Sequence, residues 1–146
     1  MGNIASPEIN FFSEEIDFIL EKPQLFTNWI MEVITGEGFK LVCINYIFCS
    51  DSYLLKINQE YLKHDYLTDT ISFDQSSEAS EIEGDIFISI DRVRENANNL
   101  TIAFNKELAL AIIHGVLHLI GYNDKNPTEI DEMRKKEEAC LSLLDF

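Results

Sequence analysis

Apolar positions in this chain recur in two rhythms, one near two residues and one near three to four. Residues 2–11, with Ile4, Ile9 and Phe11 followed by Phe12, partly alternate and predict a strand interrupted around Pro7. A polar connection begins at Ser13 and runs to Pro23. In 24–35, Leu25, Phe26, Trp29, Ile30, Val33 and Ile34 fall at helical spacing, and Gly36 and Gly38 stop the helix. Residues 39–49, FKLVCINYIFC, are β-branched and aromatic and predict a strand. Asp51 or Ser52 is the expected cap of a second helix bearing Leu54, Leu55, Ile57, Asn58, Tyr61 and Leu62. Residues 63–69 break that period and read as a loop, before a short strand at 70–74. A second polar loop leads through Gly84 to a strand at 85–90. Asp91 is the expected cap of a short helix ending in the Asn-rich stretch 96–99. Asn105 should cap the next helix, and Thr128 with Asp131 should open a last amphipathic one bearing Ile130, Met133, Cys140, Leu141 and Leu144. Its alternating charges predict a solvated face. Strands interleaved with helices predict an α/β fold. The expectation is one compact domain over residues 1–146, with a small mixed sheet of three or four strands and about five helices.

One helix stands apart. Residues 105–124 read NKELALAIIHGVLHLIGYND, and Leu108, Leu110, Ile112, Ile113, Val116, Leu117, Leu119 and Ile120 surround nearly its whole circumference. Apolarity on every side predicts a central, buried helix. It also carries two of the chain's three histidines, His114 and His118. Residues four apart share a helix face, about 5–6 Å between Cβ atoms, so both imidazoles can point the same way. Gly121 can turn the chain out of the helix and bring the Asp124 carboxylate back toward them. Two nitrogens and an oxygen with an open fourth position form the donor set of a catalytic zinc site. The competing reading is a pair of core histidines satisfied by hydrogen bonds.

The spacing H-x-x-x-H-x-x-G-x-x-D matches the metzincin frame H-E-x-x-H-x-x-G-x-x-H with two changes. Asp124 replaces the third histidine, a mild change because carboxylate oxygen also binds zinc. Gly115 replaces the glutamate that serves the proteases as general base, which removes their chemistry.

Charge narrows the functional classes. With 26 acidic against 11 basic residues the net charge is −15, which argues against broad, phosphate-driven nucleic-acid binding. A narrow basic groove or a protein partner would offset it. No run approaches the ~18 apolar residues of a membrane span, and the N-terminus lacks the basic and apolar regions of a signal peptide. Cys43, Cys49 and Cys140 lack metal-type pairing and fit free thiols in a reducing cytoplasm.

With these motifs in order, the chain resembles the YbeY family of bacterial rRNA-maturation endoribonucleases. The resemblance rests on Asn58 and Tyr61 followed by HDYLTDTISFD at 64–74, on EGDIFIS at 83–89, and on HGVLHLIGYND at 114–124. It implies a metal-dependent α/β fold, zinc as the cofactor, and cleavage of single-stranded RNA at the 3′ end of small-subunit rRNA. The implied partners are the rRNA precursor and the ribosomal small subunit or its proteins, with no membrane involved. The metal ligands carried over are His114, His118 and, at the third-histidine position, Asp124. The added carboxylate makes manganese or iron more competitive with zinc. Leu62 stands where some members carry an arginine, so a phosphate contact there is not carried over.

No residue is an evident general base. Asp69 is the candidate catalytic residue, with capping of the loop before a strand as its other reading. Thr68 and Ser72 are candidate phosphate hydrogen-bond partners, and Lys63, Arg92, Arg94 and Lys106 candidate phosphate contacts; His64 reads as a surface loop residue. Two further classes stay open: a metallohydrolase of another substrate such as peptides, and a non-catalytic ribosome-assembly factor with a structural metal.

Overall fold

A computed structural model describes residues 6–62 and 68–144. Among these, four strands and five α-helices follow in order: β1 (Glu8–Glu14), α1 (Pro23–Gly36), β2 (Lys40–Cys49), α2 (Asp51–Ile57), β3 (Thr70–Asp74), β4 (Glu81–Ser89), α3 (Ile90–Leu100), α4 (Phe104–Ile120) and α5 (Pro127–Leu141). The sheet order is β1-β2-β4-β3. β1, β2 and β4 run parallel, and β3 pairs antiparallel with β4 at the edge. The α/β fold, with its mixed sheet and buried helix, is the one the pattern predicts.

The alternation of each strand assigns the sheet's faces. Ile44, Tyr46 and Phe48 of β2, with Ile86 and Ile88 of β4, point inward and are essentially fully buried. They meet α1, α3 and α4 in the main core. The Tyr46 hydroxyl donates to the Ile112 carbonyl of α4 at 3.0 Å, so even the buried phenol is satisfied. Trp29 of α1 donates to the Cys140 carbonyl of α5 at 2.8 Å. On the other face α2 covers Cys49 and Ile71 with Leu54. Beyond α2 that face carries a polar ladder, in which the Asn10 amide donates to Asn45 and Asn45 donates to Asp85.

Several boundaries differ from expectation, each for a local reason. β1 continues through Ser13 to Glu14 because it pairs with β2 along its whole length. β4 begins at Glu81 rather than at Asp85: Ile82 turns into the core, and Glu81 and Glu83 sit on the half-covered outer face, which tolerates charge. The helix caps lie outside the predicted residues. Ser50 and Ser89 accept from the backbone N–H groups of Tyr53 and Arg92, and Asn126 accepts from Glu129. α4 starts at Phe104 behind Ala103, with no side-chain cap. Asp51 and Asp91 instead tie two helix starts together: Asp91 accepts from the Asp51 N–H, and Asp51 accepts from the Ser89 hydroxyl and Arg92. Beyond α2 the chain widens into a π-helical turn, Asn58–Leu62. The predicted loop beginning at Lys63 lies, except for Thr68 and Asp69, outside the described residues.

Candidate metal centre

The centre is built at the C-terminal end of α4. His114 and His118 lie one turn apart with rings nearly perpendicular, 4.5 Å between centroids. Gly121 ends the helix with φ of 125°, a value L side chains rarely adopt. The N–H groups of Gly121 and Tyr122 fold back onto the Leu117 carbonyl. The reversed chain then returns Asp124 to the histidines: its Oδ2 lies 3.5 Å from His114 Nε2 and 3.4 Å from His118 Nε2. The two Nε2 atoms are 3.0 Å apart.

That triangle can be tested against a cation. Ligand atoms placed tetrahedrally at zinc's ~2.0–2.1 Å stand roughly 3.3 Å from one another. The three edges bracket this value, so His114, His118 and Asp124 fit as three ligands of one ion. The half-buried histidines and the exposed aspartate leave the remaining side open to solvent.

The supporting residues were not legible in the sequence. Glu137, on the predicted solvated face of α5, turns inward and its Oε2 sits 2.6 Å from His114 Nδ1. It is only 15% exposed. A proton held on Nδ1 by this carboxylate leaves the Nε2 lone pair aimed at the triangle. Without a metal, burial pulls His114 toward neutrality, but the Glu137 hydrogen bond and charge, with Asp69 and Asp124, outweigh it and raise its pKa. His118 moves down, through burial and the neighbouring His114. Glu107, two turns before His114, is buried; loss of solvent, then the charges of Asp69 and Glu137, push its pKa up.

Gly115 has a reason in packing. A Cβ there would lie 2.7 Å from Ile86 Cγ2, and the Gly115 carbonyl accepts from Ser72 Oγ at 3.3 Å. The position that carries the general base in the metzincin frame therefore faces the sheet, against a fully buried isoleucine.

A cleft of about 670 Å³ opens over the triangle, walled by the Asn58–Leu62 turn on one side and β3 on the other. Asp69, Thr68, Ser72 and Leu62 all line it, as does Lys125. Thr70 on its wall has a buried Oγ1 with no hydrogen-bond partner. The expected cationic contacts are elsewhere. Arg92 is ion-paired with Asp51 at 3.1 Å, and Arg94 lies over the Phe104 ring. Neither they nor Lys106 line the cleft. His64 and Lys63 lie outside the described residues.

This geometry agrees with the comparisons. A profile of the family described as Endoribonuclease YbeY matches residues 8–145. The chain belongs to the YbeY family. Its relatives include the endoribonuclease YbeY of Amoebophilus asiaticus, 51% identical over 91% of this chain and 90% of that protein. That of Flavobacterium psychrophilum is 52% identical over 90% of this chain and 94% of its own length. The family fold is also seen in the solution structure of TM1509 from Thermotoga maritima, with a TM-score of 0.62 and 29% identity over 92% of this chain and 89% of that one.

Proposed function

We propose that this protein is a metal-dependent endoribonuclease that cleaves single-stranded precursor rRNA at the small-subunit 3′ end, acting in the cytoplasm with the ribosomal small subunit. The observation that carries the reading is the convergence of His114, His118 and Asp124 at the floor of an open cleft, in a chain of this family. These three residues would hold the cation, and zinc suits their two nitrogens and one oxygen. When bound, the cation would supply Lewis-acid chemistry at the cleft floor.

The chain's own residues do the rest. Glu137 orients His114 through its Nδ1. Asp69 lines the cleft wall, and its carboxylate is the proton acceptor of this reading. The Thr68 side chain is a donor for phosphate oxygens, with Lys125 at the rim. The close approach of Gly115 to Ile86 leaves no room for the base of a peptidase.

The test is cleavage of a single-stranded rRNA 3′-end fragment by metal-loaded protein, with fluorescent casein as control. His118→Ala should reduce RNA cleavage by at least a hundredfold while the circular dichroism of the fold persists. Cells relying on this variant should accumulate unprocessed rRNA. Normal rRNA ends in those cells would overturn the reading.

A further inference from the structure

The Asn58–Leu62 turn walls two clefts. Asn58 and Leu62 face the metal side. Tyr61 faces the other, a cavity of about 400 Å³ shared with Tyr53, Phe73, Phe87, Gln75 and Asp85. β3 divides the two in the same way: Ser72 points toward α4, whereas Ile71 and Phe73 point to the outer face. The aromatic rings are already organised. Tyr61 meets Phe73 edge-on at 5.9 Å, Phe73 meets Phe87 at 5.8 Å, and Tyr53 stacks on Phe87. Yet Tyr61 remains 65% exposed, an aromatic ring held against water at the mouth of the cavity.

We propose that this cavity is a base-stacking subsite for the same RNA strand whose phosphate lies over His114, His118 and Asp124; the inference rests on the endoribonuclease reading. Charge identifies the occupant. At −15 overall, and with Lys125 the cation lining the metal cleft among the described residues, the protein grips phosphates poorly. Affinity for a single strand must then come from its bases, which stack on aromatic rings whatever their sequence. The Asn58–Leu62 turn is the wall the two clefts share, so a strand that crosses it at Tyr61 would bring a base flanking the scissile phosphate to the cavity. At its polar end Asp85 accepts from Asn45 through Oδ1, while its Oδ2 meets the Gln75 amide at 3.4 Å, a long contact that a base amino group can displace. A carboxylate accepts from an exocyclic amino group, so adenine, cytosine and guanine are favoured over uracil.

The test is an abasic scan of a short single-stranded RNA with metal-loaded protein, comparing wild type, Tyr61→Phe and Tyr61→Ala. In wild type, removing one base beside the cleavage site should raise KM about tenfold with kcat little changed. Tyr61→Phe should keep that sensitivity. Tyr61→Ala should raise KM for the intact RNA about tenfold and abolish the sensitivity. Equal KM for Tyr61→Ala and wild type, or an unchanged abasic profile, overturns the subsite. So does a shift in oligomeric state with KM unaltered, which would make the patch a protein interface. If wild type cleaves no RNA at all, the endoribonuclease reading falls first, and the two failures are told apart.

Discussion

The residue whose role the tertiary structure changes most is Glu137. In sequence it is one acid in a run of alternating charges; in the fold it holds His114 Nδ1 at 2.6 Å. Groups in this position fix the tautomer and orientation of a metal-binding imidazole, and their loss costs about 10–100-fold in affinity. Glu137→Ala should therefore weaken zinc binding by about that factor, read by chelator competition. The His114 ring should lose its Nδ1–H signature in nitrogen NMR. Unchanged zinc affinity would show that Asp124 and the helix alone hold the imidazole. The histidine spacing and the Gly121 turn were legible because both are local. Glu137 was not, because only the packing of α5 on α4 brings it there.

At the scale of the element, α4 depends on how closely it lies on the sheet. A methyl group on Gly115 would meet Ile86 Cγ2 at 2.7 Å and Cδ1 at 3.0 Å, and Ile86 has no exposed surface to move into. Gly115→Ala should destabilise the fold by about 1–3 kcal/mol, the usual cost of overpacking. Urea unfolding checks this, and an unchanged midpoint would mean that α4 can lift without loss. The helix starts make a second point at this scale. Sequence reading put the caps on Asp51 or Ser52 and on Asp91, whose chemistry suits capping, but Ser50 and Ser89 occupy those positions. The two acids are taken by a brace between α2 and α3, a long-range contact that no local pattern announces.

For the whole molecule, the acidic surface leaves few cations to spare, and the fold uses some of them as braces. Arg92 braces Asp51, and Lys136 reaches Glu37 at 2.6 Å. Glu37 also accepts from the Tyr122 hydroxyl at 2.8 Å, so one carboxylate joins the end of α1, the turn after α4 and helix α5. Burial alone would raise the Glu37 pKa, but Lys136 and Tyr122 outweigh it and hold it below the usual 4.5. A folded value below the unfolded one stabilises the protein above pH 4.5 and is lost as pH falls through the lowered value. Glu37→Gln should thus cost about 1 kcal/mol at neutral pH in the metal-free protein. The deficit should shrink in acid; a deficit independent of pH would assign it to packing instead.

Hydrophobic period and glycine placement were enough to predict the α/β class, the buried central helix and the approach of Asp124 to two histidines, because each depends on residues near one another in the chain. Folding settled what lies across the chain: the orienting Glu137, the diversion of Arg92 from the cleft, and a Gly115 pressed on Ile86 where the protease base would stand. These are contacts between elements. A one-dimensional pattern shows which face of a helix is apolar, but not which neighbour will pack against it.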